Sequence, residues 1–173
     1  SGTANYNATN SPTASITVTG LNGQTLSFTG SVVLNGSNVG SQTVNSLSGS
    51  LSSGTGQSGD YTLVAPAGSI TILPAPITVT TANVIKTYDA TAIAPTTTVG
   101  TSIVAASPVL VSGTIYGSDQ LTGIGGSYTN VNVGSGNRTV IPANAVLYSG
   151  ANNVSANYVI TYVSNTTSTI NPA

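Results

Sequence analysis

Charged side chains are almost absent from this 173-residue chain, which contains no histidine and no glutamate. Its charged residues are Lys86, Arg138, Asp60, Asp89 and Asp119. Ordinary soluble domains carry about 25% charged residues, against 3% here. Duplex nucleic acid is held through many Lys and Arg contacts to phosphate, so two cations exclude nucleic acid as a partner. They exclude a polybasic site for a membrane surface on the same ground.

Cysteine and methionine are absent, which excludes disulfides, thiol chemistry and thioether ligands. Long hydrophobic runs are also missing. A spanning helix needs about 20 apolar residues, and stretches such as 103–106 and 109–111 are broken within a few residues. We therefore expect a soluble segment that makes no membrane contact and is stabilised by strand pairing and packing.

Too few titratable groups exist for catalysis, which needs tuned acids and bases held close together. Only Asp89 and Asp119 could pair within one half of the chain, and a turn role is expected for each. Calcium takes 6 to 8 oxygen ligands, usually from several carboxylates. No Asp-x-Asp pattern occurs, so Asp119 is predicted to be a solvated turn aspartate. The sequence thus predicts a non-enzyme without catalytic residues, metal or cofactor.

What the chain does contain is short segments in which apolar and polar residues alternate, typical of half-buried strands. The clearest are 15–19, 25–29, 69–73 and 76–81. In 158–163 both faces are apolar, which predicts a central strand covered on both sides. Pairs such as Asn22-Gly23 and Asn35-Gly36 mark turns between the strands. No segment keeps a helical period, so the prediction is an all-β fold.

An internal repeat organises these strands. Three motifs recur in the same order: 5–9 with 87–91, 38–41 with 132–135, and 60–63 with 157–160. We therefore expect two tandem units, 1–74 and 75–173. The spacing indicates an insertion within Thr96 to Gly123 of the second unit. Only the second copy includes a lead-in strand, Ile77 to Thr81, so the first is predicted to lack its opening strand and to be the weaker unit.

Three motifs of the second copy carry a family resemblance. They are Lys86-Thr87-Tyr88-Asp89-Ala90-Thr91, then 132–137, then Asn157-Tyr158 with a closing 169–173. This series resembles the YDG and MBG (mostly-β, glycine-rich) repeats, which occur in tandem in filamentous-haemagglutinin-like bacterial surface adhesins. Ala90 stands where the family commonly has glycine. The resemblance implies two small β-sandwich-like (Ig-like) units, a secreted or cell-surface location, and neighbouring repeats of the same polypeptide as partners.

Several residues keep an alternative reading. Lys86 could cross-link to an asparagine, but on a strand Lys86 and Asp89 would point to opposite faces, so a solvated strand-edge lysine is expected. Glycosylation sequons occur at Asn7, Asn35, Asn137, Asn153 and Asn165, where turn asparagines are the simpler expectation. Tyrosines could stack on sugars. Since Tyr6 matches Tyr88, and Tyr61 matches Tyr158, core positions are favoured instead.

The leading hypothesis is a structural stalk segment of a large secreted adhesin, which projects a binding region from the cell. The alternative is a module that itself binds a carbohydrate or a host protein, with no ligand-binding residues identified. An ice-binding solenoid ranks third because the repeat, near 90 residues, is too long. The segment is expected to be a monomer, with glycans or matrix proteins bound by other regions. Pro74-Ala75-Pro76 predicts a short, stiff junction and an end-to-end arrangement.

Overall fold

The chain is all-β and divides into two compact units, Ser1–Pro74 and Ala75–Ala173. The computed structural model describes residues 2–12 and 18–173. Within these ranges the helical structure is limited to three short 3₁₀ turns, Leu21–Gly23, Ser58–Asp60 and Ser155–Asn157. None of the described helices is long and apolar enough to cross a membrane.

The described residues of the first unit form one sheet of four strands. They are β1 (Gly2–Asn5), β2 (Leu26–Leu34), β3 (Gly40–Ser53) and β4 (Ser69–Leu73), in the order β1-β4-β3-β2. Strand β1 runs parallel to β4, while β4 and β2 are antiparallel to β3. The segments predicted over 25–29 and 69–73 lie in β2 and β4. Most of the segment predicted over 15–19 lies outside the described residues.

The second unit contains eight strands. They are β5 (Ala75–Thr81), β6 (Ile85–Thr87), β7 (Pro108–Gly113), β8 (Asp119–Tyr128), β9 (Gly134–Ser149), β10 (Asn152–Asn153), β11 (Tyr158–Tyr162) and β12 (Asn165–Asn171). One sheet has the order β10-β9-β12-β6, with β8 also paired to β9, and a second has the order β11-β5-β7. Strand β11 runs parallel to β5, and β12 runs parallel to β6.

The core of the second unit lies along the inner faces of these strands. On β5, alternate side chains from Ala75 to Thr81 are buried, including Val79, which is fully buried. Leu147 on β9 is also fully buried. A cluster at the β6 and β12 side of the unit consists of Val84, Ala94, Tyr128, Val140 and Ile170. Strand alternation accounts for the burial on β5, because every second side chain faces the same side of a sheet. Val84 and Ala94 of the cluster lie outside the strands.

One strand prediction is wrong in its detail. The segment 158–163 was expected to be central and covered on both faces, but β11 lies at the edge of its sheet and β5 is the central strand. Val159 and Val163 are 52% and 45% exposed. Apolar residues on both faces of a segment do not by themselves decide whether the strand is central in its sheet or lies at an edge.

Candidate functional site: the Lys86–Asp89 turn

The motif that carries the family resemblance forms a tight turn after β6. This strand ends at Thr87, and the next residue, Tyr88, donates its N–H to the Asn171 carbonyl at 2.8 Å. Ala90 then adopts a left-handed conformation with φ of 60°. The Asp89 carboxylate accepts hydrogen bonds from the Thr91 N–H and hydroxyl, both at 2.9 Å. Aspartate is favoured in such turns because its short carboxylate reaches the backbone two residues ahead.

Lys86 is buried beside this turn, with 3% of its surface exposed. Its Nζ lies 2.6 Å from Asp89 Oδ1 and donates to the Thr91 carbonyl at 2.8 Å and to the Ile93 carbonyl at 3.3 Å. It also lies 5.7 Å from the centre of the Tyr128 ring, within the range of a cation–π contact. An ammonium group has three protons to donate, and this environment engages them all.

The prediction of a solvated Lys86 facing away from Asp89 is therefore wrong. Alternation requires a continuous strand, but β6 ends at Thr87, and the turn at Ala90 brings Asp89 back to the ammonium group. No asparagine amide is among the groups that Lys86 contacts in the described part of the chain. Its contacts are instead the Asp89 carboxylate, the Thr91 hydroxyl and two backbone carbonyls.

The hydrogen bond and charge of Lys86, together with the Thr91 hydrogen bonds, lower the pKa of Asp89 to about 2. The carboxylate is therefore ionised throughout the neutral range and cannot supply a proton at neutral pH. Burial raises the pKa of Tyr128 to about 12. The Tyr128 hydroxyl lies 2.9 Å from the Val84 carbonyl and 3.1 Å from the Thr169 carbonyl, so it serves as a donor that joins two chain segments.

A shallow depression of about 480 Å³ opens beside the turn. Tyr88 and Ile93 line it, with 40% and 70% of their surfaces exposed. The exposure of Tyr88 contradicts the expectation that this tyrosine is a core residue. The depression is wide enough for a small ligand, but its polar groups are largely committed to the ion pair described above.

The other carboxylates serve elsewhere. Asp119 was predicted to be solvated, yet it is 9% exposed and accepts the Tyr158 hydroxyl hydrogen bond at 2.8 Å. The Tyr158 oxygen in turn accepts the Tyr116 N–H at 3.0 Å. Asp60 is exposed at the end of the Ser58–Asp60 turn. Across residues 2–12 and 18–173, no three Asp residues gather into a group that could hold a metal ion.

The first unit repeats the Lys86–Asp89 turn with neutral residues. Asn7 Oδ1 accepts hydrogen bonds from the Thr9 N–H at 3.1 Å and the Thr9 hydroxyl at 2.9 Å, and Ala8 has φ of 60°. Tyr6 donates its N–H to the Leu73 carbonyl at 2.8 Å, as Tyr88 does to Asn171. By strand register, Ala4 opposite Ile72 takes the place of Lys86 opposite Ile170.

Leu34 takes the place of Tyr128 in the first unit. Leu34 pairs with Val44 as Tyr128 pairs with Val140, and its N–H bonds to Asn10 as that of Tyr128 bonds to Ala92. The ammonium, its carboxylate partner and the tyrosine ring over it are therefore all absent from the first unit. Sequence matching missed Tyr128 because no motif extends to it.

A second pair of turns shows the same replacement. In the first unit the Tyr61 hydroxyl donates to Gln24 Oε1 and accepts the Leu21 N–H at 3.2 Å. In the second unit Tyr158 makes the equivalent bonds to Asp119 and Tyr116. A carboxylate is thus replaced by an amide at the same acceptor position.

The segment that connects Ala92 to Tyr116 in the second unit is longer than the equivalent segment from Asn10 to Leu21 in the first. It overlaps the insertion predicted within 96–123.

Among the sequon asparagines, several hold turns. Asn7 accepts from Thr9, and Asn153 accepts from the Ser155 N–H at 2.9 Å. The Asn165 amide nitrogen donates to the Thr81 carbonyl at 3.1 Å and to Asn83 Oδ1 at 3.0 Å. A glycan on that nitrogen would replace one of its two N–H donors and break at least one of these bonds, so Asn165 is poorly suited to modification in the folded state.

A family model for the YDG domain matches residues 73–168. This range begins just before β5 and contains the Lys86–Asp89 turn, and it covers more than half of the chain. The chain therefore belongs to the YDG domain family. No curated protein and no solved structure matches it.

Proposed function

We propose that this chain is a stalk segment of a large secreted bacterial surface adhesin, built from two small β-sandwich-like units joined end to end. The observation that carries the proposal is that charged side chains of the second unit are replaced by uncharged side chains at the equivalent positions of the first. Lys86, Asp89 and Asp119 are replaced by Ala4, Asn7 and Gln24, while the backbone hydrogen bonds around them persist. A catalytic or ligand-binding role common to both copies would require the same side chains in both. What the two copies share is therefore the architecture.

The bonding of the polar groups supports the same proposal. Lys86 and Asp89 close a turn, Tyr128 joins two segments, and Tyr158 bonds to a buried carboxylate. Residues of this kind stabilise a unit that repeats, and repeated units add length in proportion to their number. The proposal includes export to the cell surface, which the resemblance to adhesin repeats implies, and a monomeric state.

Small-angle X-ray scattering of the whole chain tests the stalk proposal. We expect a maximum dimension near the summed lengths of two units in series, which the short Pro74 connection favours. A compact particle with the dimensions of a single globular domain of this mass would contradict it. A stiff junction also predicts that lengthening the link after Pro74 with glycine and serine broadens the distance distribution.

The depression beside Tyr88 and Ile93 favours one second candidate, a module that binds a glycan or host protein itself. Aromatic side chains at the rim of a pocket can stack on sugar rings. A glycan and matrix-protein array separates the candidates. The stalk proposal predicts no retained ligand, whereas a ligand lost on Tyr88→Ala but kept on Tyr148→Ala would favour the binding module.

A further inference from the structure

The first unit contains an apolar groove where the second unit has a strand. The groove has a volume of about 300 Å³. The residues that line it are Val18, Thr19, Leu26, Leu47, Leu51, Tyr61, Thr62, Leu63, Val64 and Pro66. None of these side chains carries a charge at neutral pH. Leu26, Leu47 and Leu51 are only partly buried, whereas Leu147, on the strand equivalent to β3, is fully buried.

The wall of this groove formed by residues 61–66 is equivalent to β11. Tyr61 follows a one-turn 3₁₀ segment and bonds through its hydroxyl, as Tyr158 does at the start of β11. Burial alternates in the same way, with Tyr61 and Leu63 more covered than Thr62 and Val64. Yet this segment is not a strand, and among the described residues its backbone from Thr62 to Pro66 pairs with no other segment.

The missing element is identified by what covers β11. In the second unit β5 runs parallel to β11, with Ala75 opposite Tyr158 and Ile77 opposite Ile160. The buried side chains of β5 are small or β-branched: Ala75, Ile77, Val79 and Thr81. Only three residues then separate β5 from β6, the strand equivalent to β1. A strand with this pattern, placed just ahead of β1, would reach the groove by the same connection.

We propose that the groove of the first unit accepts a β-strand with the pattern of Ala75–Thr81, supplied by the same polypeptide from ahead of β1 and added parallel to residues 61–65. An unpaired edge beside an uncharged apolar groove is the surface that strand addition requires, because main-chain bonds supply affinity and pockets select alternate side chains. The groove excludes a charged segment, since no ionic partner lines it.

A graft tests this proposal in the whole chain. A copy of Ala75–Asn83 is placed directly before Gly2, in place of Ser1, and hydrogen exchange is followed by mass spectrometry. The strand should slow exchange of the backbone amides in 61–65 by about tenfold or more, because hydrogen-bonded amides exchange only through opening. In the matched control the copy carries Ile77→Asp and Val79→Asp, and exchange in 61–65 should remain as fast as in the ungrafted chain.

Exchange in 158–162 is the internal reference and should not change, because native β5 already covers β11. Equal exchange in the graft and its aspartate control would overturn the proposal. So would concentration-dependent protection of 61–65 in the ungrafted chain together with dimer formation in sedimentation, since the occupant would then be a second copy. Protection of 61–65 in the ungrafted monomer, as strong as in the graft, would also overturn it.

Discussion

In the second unit the turn after β6 contains an ion pair between Lys86 and Asp89, whereas the first unit has Ala4 and Asn7 at the same positions. Both turns keep a side-chain oxygen that accepts from a threonine two residues ahead, and both keep an alanine at φ of 60°. The turn therefore needs an acceptor and a left-handed residue, while the charge is needed only where a buried ammonium stands beside it.

A second difference concerns strand formation. Residues 61–64 and 158–161 show the same alternation of more and less covered side chains, but only the second segment lies in a strand. The second has β5 beside it, and the first has no equivalent among the described residues. An alternating sequence is compatible with a strand, but the strand forms only beside a neighbouring strand, because its backbone hydrogen bonds are made with that partner.

The largest expected effect comes from Val79→Asp at the centre of β5. It places a charge at a fully buried position without a partner, which should destabilise the second unit by about 4 kcal/mol. Val79→Ala, which only opens a small cavity, should cost about 2 kcal/mol. Hydrogen exchange resolved along the chain should show loss of protection in β9 but not in β3. Equal loss in both would mean that the two units do not unfold separately.

Lys86→Ala reproduces the residue of the first unit and should destabilise the second unit by about 2 kcal/mol, through lost hydrogen bonds and packing. Asp89→Asn keeps the Thr91 cap, as Asn7 does for Thr9, and removes only the charge. We expect Asp89→Asn to destabilise the wild-type chain and to be nearly neutral in the Lys86→Ala background. Denaturant unfolding of the four proteins measures this coupling, and purely additive effects would contradict the ion pair.

Acid should distinguish the two units. The pKa of Asp89 is about 2 in the folded chain, against about 3.9 for an unfolded aspartate. A lowered folded pKa contributes stability that is complete above about pH 5 and is lost as the pH falls through about 4 to 2. Exchange in the second unit should therefore accelerate over this range beyond the intrinsic pH effect. Asp89→Asn should remove that dependence, and its persistence in this variant would assign it to another group.

The smallest expected effect is that of glycine at the left-handed positions. Ala90→Gly removes the steric cost of a Cβ atom in the left-handed conformation, about 1 kcal/mol. Glycine also has greater conformational freedom in the unfolded chain, which offsets part of this gain, so we expect stability to rise by about 0.5 kcal/mol. Ala8→Gly should give a similar gain, since Ala8 has the same φ. Thermal unfolding measures both. Ala92→Gly is the control and should be neutral or destabilising.

Much of the strand content could be predicted from alternation, as β4 and β5 show, and the repeat located the two equivalent turns. The environment of Lys86 could not be predicted. Its burial depends on where β6 ends, on the left-handed Ala90 and on Tyr128, which is distant in sequence. Asp119 was missed for the same reason, because its partner Tyr158 belongs to another segment.

The sequence by itself determined that the protein is all-β, repeats internally and carries almost no charge, because alternation, turn residues and composition are local properties. It also marked Asp89 and Asn7 as turn residues, since each bonds within two residues along the chain. Only the tertiary structure decided that Lys86 is buried, that β5 rather than β11 is central, and that the first unit has an open groove. These three features depend on which segments distant in sequence pack together, and the periodicity of a segment does not say which other segment it will contact.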